Sequence, residues 1–252
     1  MKNKKVMILI IFVFLIILAY VRCSSIMYFK IPYESSVDRN TPRLPNKFFT
    51  EVKDRPHLDL KYGKNTKTLN FETLKQELTG ALDALASLAR QKRAKITIMH
   101  GSLIGYYFNK QILPWDDDID VIVVGEEDIL ALASLDGWES KDFIFKVNPN
   151  FINKNTNDHL NKIDARMISK NTGIFIDLTF FWKSENTHFA KDGHQYSNDM
   201  LFPLAPAVFC GIDVFVPNDI PTCLTKEYGP KVLNLSFKHK GRLWEFDGSK
   251  WI

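Results

Sequence analysis

Pro114-Trp115-Asp116-Asp117-Asp118-Ile119-Asp120-Val121-Ile122-Val123-Val124 sets four carboxylates against the start of an uninterrupted apolar run. The run has the length of one buried strand, and along a strand residues two apart share a face. Asp118 and Asp120 therefore point one way while Ile119 and Val121 turn into the core, and Asp116 reaches the same side from the loop. Like charges so placed repel unless a cation lies between them. A hard divalent ion takes oxygen ligands, and Mg²⁺ keeps positions open for waters and substrate phosphates. The bland alternative is an acidic turn that caps a helix starting at Glu126, Glu127 and Asp128.

Upstream, Ile96-Thr97-Ile98-Met99 has the β-branched alternation of a strand, and Gly101-Ser102 follows almost at once. Leu103 to Phe108 then reads as a short buried helix. Small residues at a helix start expose backbone N–H groups that receive an anionic phosphate, although His100-Gly101-Ser102 alone is equally a plain tight turn. Further back, Phe71, Leu74, Leu78, Leu82, Leu85 and Leu88 recur at three- and four-residue steps behind Asn70, the pattern of a capped core helix. The basic turn Arg90-Gln91-Lys92-Arg93 reads as a solvated face.

Downstream, Asp177 sits in Gly173-Ile174-Phe175-Ile176-Asp177-Leu178-Thr179-Phe180-Phe181, among apolar and β-branched neighbours. An unpaired charge buried in such a strand is costly, so it needs a cation or a hydrogen-bond network. A metal shared with Asp118 and Asp120 would supply one. Lys162-Ile163-Asp164-Ala165-Arg166-Met167-Ile168 predicts a neighbouring antiparallel strand. From it Arg166 either clamps a donor phosphate through its planar fork or pairs with Asp164 or Asp177.

The rest of the chain speaks to organisation. Val6 to Val21 carries no charge, follows Lys2, Lys4 and Lys5, and precedes Arg22. This predicts a cytosolic tail over 1–5, a transmembrane signal anchor over 6–21, and a translocated C-terminal domain. A cleaved signal peptide is the competing interpretation, but Ala19-Tyr20-Val21-Arg22 is a poor cleavage site. Residues 22–67 hold Pro32, Pro42, Pro45 and Pro56 with little apolar periodicity, the composition of a stem, with Phe48, Phe49 and Val52 open as packing residues. Residues 68–252 form the folded domain.

A formal charge of +4 gives no argument for nucleic-acid binding. Cys23, Cys210 and Cys223 are too few and scattered for a zinc cluster, although Cys210 and Cys223 are free to pair in an oxidising lumen. Trp115 reads as a packed aromatic or a base-stacking one, and His100 as structural or as a direct participant. His188, His194 and His239 carry no signal. Asn234-Leu235-Ser236 is a glycosylation sequon, meaningful only if the domain is luminal.

Taken in order, Gly101-Ser102-Leu103-Ile104-Gly105, Pro114-Trp115-Asp116-Asp117-Asp118-Ile119-Asp120, Gly173-Ile174-Phe175-Ile176-Asp177 and Phe202-Pro203-Leu204 resemble the LicD/fukutin family over about residues 70–230. The resemblance implies an α+β, nucleotidyltransferase-like fold, a mixed sheet with packed helices, here preceded by the N-terminal transmembrane helix. It implies transfer of phosphocholine or phosphosugar units from cytidine- or guanosine-diphosphate donors. It further implies ligation of Mg²⁺ or Mn²⁺ by Asp118, Asp120 and Asp177. Asp177 is then the first candidate for the base that takes the acceptor proton and Asp116 the second, while Gly101 and Ser102 hold donor phosphates, with Arg166 as their clamp. The stretch from Lys162-Ile163-Asp164-Ala165-Arg166 through Asp177-Leu178-Thr179, with His100-Gly101-Ser102, is similar to fungal proteins involved in adding mannosylphosphate to cell-wall mannans.

The expected partners are GDP-mannose or a CDP-linked donor, a glycan acceptor, and the membrane through the N-terminal helix. The expected address is the Golgi or endoplasmic reticulum membrane, single-pass type II, with the catalytic domain luminal. Two other activities fit the same residues: an ordinary DxD glycosyltransferase, and a non-catalytic regulator in complex with other Golgi transferases. After Gly105, Tyr106-Tyr107-Phe108-Asn109 departs from the small-and-basic run of bacterial members. The zinc-binding insertion of some animal members is absent, so no structural zinc is expected.

Overall fold

The computed structural model describes residues 47–52, 55–62, 70–154, 160–239 and 242–252. The tail, the anchor over 6–21 and the first half of the stem lie outside the described residues. Among the described residues, no helix is long and apolar enough to cross a membrane.

Seven strands follow one path across the main sheet: β10 (Ala205–Phe209), β11 (Ile212–Val216), β3 (Thr97–Ile98), β4 (Asp120–Val124), β7 (Phe175–Ser184), β6 (Ala165–Ser169) and β5 (Phe143–Val147). β8 (Thr187–Phe189) and β9 (Gln195–Ser197) extend the sheet from β7. The β11–β3 and β4–β7 pairs are parallel and the others antiparallel, so the sheet is mixed. With five α-helices among the described residues, this is the expected α+β class. β4 is central, and Val121 to Val124 are at most 4% exposed. Burial on both faces explains a continuous apolar run where a half-exposed strand would alternate.

Helix α1 (Phe71–Lys92) starts where Asn70 Oδ1 accepts the Thr73 amide at 2.8 Å, and stops at Arg93, which takes a left-handed conformation. Its buried stripe of Leu78, Leu82, Leu85 and Leu88 crosses β5, β6, β7 and β11. Helix α3 (Glu126–Ala133) packs on α1, β4 and β7. Because strand β4 stands between the aspartates and α3, the acidic segment does not cap that helix; Gly125 does, at φ 98°.

Helix α2 (His100–Asn109) begins three residues earlier than the sequence suggests, so Gly101 and Ser102 lie inside its first turn. A Cβ on Gly105 would collide with the Gln111 carbonyl, so glycine there lets the chain double back toward the acidic loop. Helix α5 (Ile220–Tyr228) packs on α2 and on the short α4 (Asn198–Leu201). The C-terminal hairpin of β12 (Ser236–His239) and β13 (Arg242–Glu245) brings Phe237 and Trp244, with Trp251, against Trp115 at ring distances of 5.7, 4.9 and 5.2 Å. Trp115 is thus a packed aromatic that anchors the acidic loop. Cys210 and Cys223 are both free thiols.

The stretch from 47 to 62 packs on the sheet. Its hairpin of β1 (Glu51–Val52) and β2 (Arg55–Asp59) buries Leu58, which bridges to Ile174, while the Asp59 amide donates to the Gly173 carbonyl at 2.8 Å. Phe49 is buried and Val52 touches the core, whereas Phe48 is exposed. Burying these apolar side chains holds Glu51 against Arg166 and His57 against Asp117 and Asp118.

Candidate functional site

Asp120 and Asp177 face each other because β4 and β7 run parallel in a register that pairs them directly. Neighbouring strands lie about 4.8 Å apart, so the two carboxylates enter one site. Asp118 precedes β4, and Asp116 stands one step further back beside Gly101, where a Cβ would come within 3.0 Å of Asp116 Oδ2. The Ser102 hydroxyl oxygen accepts the Asp120 amide at 3.0 Å, and the Met99 amide donates to the Asp120 carbonyl at 3.3 Å. These bonds tie the first turn of α2 to the first residue of β4. No side chain caps the α2 N-terminus.

The electrostatics are those of carboxylates gathered with too little positive charge. Burial, then the charge of Asp118, pushes the Asp116 carboxyl up to about 8. Burial and the charges of Asp118, Asp116 and Asp177 push Asp120 well above the carboxylate range. Asp118 goes the other way: burial would raise it, but hydrogen bonding to His57 and its charge hold it down. His57 bridges Asp117 Oδ1 through Nδ1 and Asp118 Oδ2 through Nε2, each at 3.1 Å. Against the effect of burial, these carboxylates raise its imidazole to about 11.

Arg166 lies opposite Asp177 on antiparallel β6. Its Nε donates to Asp177 Oδ1 at 2.6 Å and one Nη to Glu51 Oε1 at 2.7 Å, while the guanidinium stacks on Phe175 and Phe49 at 3.6 and 4.7 Å. The side chain is fully buried, and its other Nη has no hydrogen-bond partner. Of the partners open to Arg166 in the sequence, Asp177 is the one it pairs with; Asp164 instead pairs with Lys191 at 2.7 Å. Burial lifts the Asp177 carboxyl above its ordinary range despite Arg166. A cavity of about 260 Å³ opens beside this pair, lined among others by Phe49, Asn148, Asn161, Lys162, Arg166 and Asp177.

The structure thus brings together Asp116, Asp118, Asp120 and Asp177, with Gly101 and Ser102 at their edge and Arg166 behind Asp177. It adds Glu51 and His57, which no local signal marks: both lie in a proline-bearing stretch and gain their partners only through tertiary packing.

Half of the chain, residues 93–219, matches the family model for the LicD/FKTN/FKRP nucleotidyltransferase domain, so the protein belongs to that family. Among its relatives is a fungal one, as the narrower motif resemblance expected: Mannosyltransferase regulator 4 of Saccharomyces cerevisiae. It is 26% identical over 162 residues, which cover 56% of this chain and only 13% of the relative's length. Among solved structures, ANT(2")-Ia in complex with adenylyl-2"-tobramycin aligns at a TM-score of 0.34 with 14% identity, over 57% of this chain and 70% of that one. A likeness of that strength carries no argument.

Proposed function

We propose that the chain modifies glycans by transferring a substituted phosphate from a nucleotide-diphosphate donor to a glycan hydroxyl, with mannose phosphate from GDP-mannose as the first candidate and CDP-linked donors as the next. The supporting observation is the register of Asp120 opposite Asp177 with Asp116 and Asp118 beside them. Asp118, Asp120 and Asp177 would hold Mg²⁺ or Mn²⁺: the donor atoms are all hard oxygens, and Asp120 and Asp177, whose carboxyls burial and the neighbouring carboxylates push upward, gain from a shared cation. When bound, such an ion neutralises charge on donor phosphate oxygens and on the departing nucleotide.

The protein's own groups do the rest. In this nucleotidyltransferase-like arrangement the first-turn amides of α2 at Gly101 and Ser102 receive donor phosphates. Arg166 fixes the Asp177 carboxylate by hydrogen bonds, and its second Nη, unpartnered beside the cavity, is the group left to clamp a donor phosphate. Asp177 lines the cavity, and burial moves its carboxyl toward the basicity of a useful proton acceptor, so it takes the acceptor proton, with Asp116 as the second candidate. The hydroxyl oxygen forms a new bond to phosphorus as the bond to the nucleoside monophosphate breaks, leaving a phosphodiester.

A second reading, that the chain regulates a transferase without turnover, is favoured by the name of the Saccharomyces cerevisiae relative alone. The deciding measurement incubates the purified chain with Mn²⁺, a mannan-type acceptor and GDP-mannose or CDP-linked donors, and identifies the nucleotide released. GMP or CMP is the expected product. GDP would mean glycosyl transfer, and no release from any donor despite Mn²⁺ binding would favour the regulator.

Gly101 supplies a finer test. In Gly101→Ala the new methyl group meets Asp116 Oδ2 at 3.0 Å and must displace that carboxylate by a few tenths of an ångström. Mn²⁺ affinity, measured by calorimetry, is expected to fall about tenfold, the scale of disturbing groups that orient metal ligands. The melting temperature should hardly move, since the displaced atom ends a side chain and belongs to no backbone.

A further inference from the structure

Glu227, near the end of α5, gathers two histidines from distant parts of the chain. His100 Nδ1 lies 2.8 Å from Glu227 Oε1, and His194 Nε2 lies 3.7 Å from the same oxygen. The two imidazoles are 4.6 Å apart between ring centres, and one ligand atom from each of the three residues falls within 4.8 Å of the others. We propose that His100, His194 and Glu227 form a second metal site, for a borderline transition ion with Zn²⁺ as the best fit. Its ligands are none of the aspartates, although the charge of Glu227 reaches Asp120, and it does not rest on the function proposed for that cluster.

The donor set selects the metal class. Two imidazole nitrogens and one carboxylate suit Zn²⁺ and its neighbours, whereas Mg²⁺ prefers oxygen throughout. The spacing fits as well. Atoms about 2.0–2.1 Å from a tetrahedral zinc ion are roughly 3.3 Å from each other, and the two separations from Glu227 Oε1 lie on either side of that value. The two histidine ligand atoms lie within 4.8 Å of each other, so the rings must close by about 1.5 Å at most.

The outer partners are those that orient metal ligands. Asp192 Oδ2 lies 2.9 Å from His194 Nδ1, on the side of the ring away from Glu227, and the Tyr196 hydroxyl donates to Glu227 Oε2 at 3.0 Å. A carboxylate behind a ligating histidine sets its tautomer and strengthens it as a donor. His100 supplies an independent sign. It is only 9% exposed, and it opens α2 at φ 53°, an uncommon conformation for a non-glycine residue. A purely structural hydrogen bond to Glu227 leaves the backbone strain at His100 unexplained. Three protein ligands leave one position open to water or to an anionic oxygen, and His100 directly precedes Gly101 and Ser102.

The test uses Co²⁺ as a spectroscopic stand-in for zinc. The purified full chain, stripped with a chelator and held in excess Mg²⁺ to occupy the aspartates, is titrated with Co²⁺. One equivalent should give the visible absorption of four-coordinate cobalt, and Zn²⁺ should displace it. His194→Ala is expected to weaken binding by more than about 100-fold and Asp192→Asn by about 10–100-fold, the latter being the outer-partner scale. His194 is partly exposed, so its truncation spares the core, and an unchanged melting curve of the stripped variant shows that it is folded. Asp118→Asn should keep the signal. A cobalt spectrum that survives His194→Ala, one that vanishes in Asp118→Asn, or no cobalt binding at all would each overturn the site, while leaving the donor-turnover result free to stand or fall by itself.

Discussion

Asp120→Asn is expected to remove Mn²⁺ binding and to slow phosphate transfer by at least about 10³-fold, the rate equivalent of the several kcal/mol that a phosphate-bound cation supplies. The same substitution should raise the melting temperature of the chelated protein. Asp120 crowds against Asp118, Asp116 and Asp177 at a mostly buried position, and its carboxyl is pushed well above the ordinary range. Between that range and the raised value the folded chain binds a proton that the unfolded chain releases, so stability drops as pH rises through this window. An amide cannot ionise and escapes the loss. At pH 7 the chelated variant should therefore be the more stable protein, by about 1 kcal/mol or more, with the gap closing toward pH 4. Added Mn²⁺ should reverse the order by stabilising only the parent. Thermal melts at two pH values, with and without Mn²⁺, check all three statements. If the chelated variant melted below the parent at pH 7, the carboxylates would not be in the mutual repulsion described above.

Lys191→Met should lower stability by about 3–5 kcal/mol, or roughly 10 °C in melting temperature, without touching the aspartate cluster. Lys191 and Asp164 are fully buried and 2.7 Å apart. Asp164 Oδ2 also accepts the Phe180 amide at 2.8 Å, and Lys191 Nζ donates to the Asn150 carbonyl at 3.2 Å. Losing the lysine leaves a carboxylate in the core with one hydrogen bond and no counter-charge. Burial already lifts Asp164 to about 7 with its partner present, and without it the group must take up a proton to remain buried. The unfolded chain ionises this carboxyl near 4, so the damage is greatest at neutral pH and above and shrinks as pH falls toward 4. A double variant, Asp164→Leu with Lys191→Met, should recover much of the loss, because matched apolar groups often replace a buried ion pair at little cost. Denaturant titrations of the single and double variants measure both effects.

These two positions also mark how far the chain could be read without its structure. The aspartate segment was legible because period-two spacing and an apolar run are local properties: they place Asp118 and Asp120 before any partner strand is known. The capped leucine stripe of α1 and the core position of Ile119 and Val121 were legible for the same reason. Asp177 was suspected from the cost of a charge among apolar neighbours, but not its place opposite Asp120. The sequence left Arg166 two acidic partners to pair with, Asp164 or Asp177, and the antiparallel register of β6 on β7 chose Asp177. Asp164, two residues earlier, was within reach of the same argument, yet its side chain pairs with Lys191, which no periodicity links to it.

By itself, then, the sequence determined the class of fold, the helix and strand that frame the acidic loop, and the family to which the chain belongs, because short-range pattern and motif order carry that information. Only the tertiary structure decided that β4 and β7 lie side by side, that the segment from 47 to 62 lays Glu51 and His57 over the site, and that Glu227 draws His100 and His194 together. Each of those contacts joins residues dozens of positions apart. Its existence depends on how the whole core packs, since hydrogen bonds and ion pairs form between whatever groups burial brings within reach.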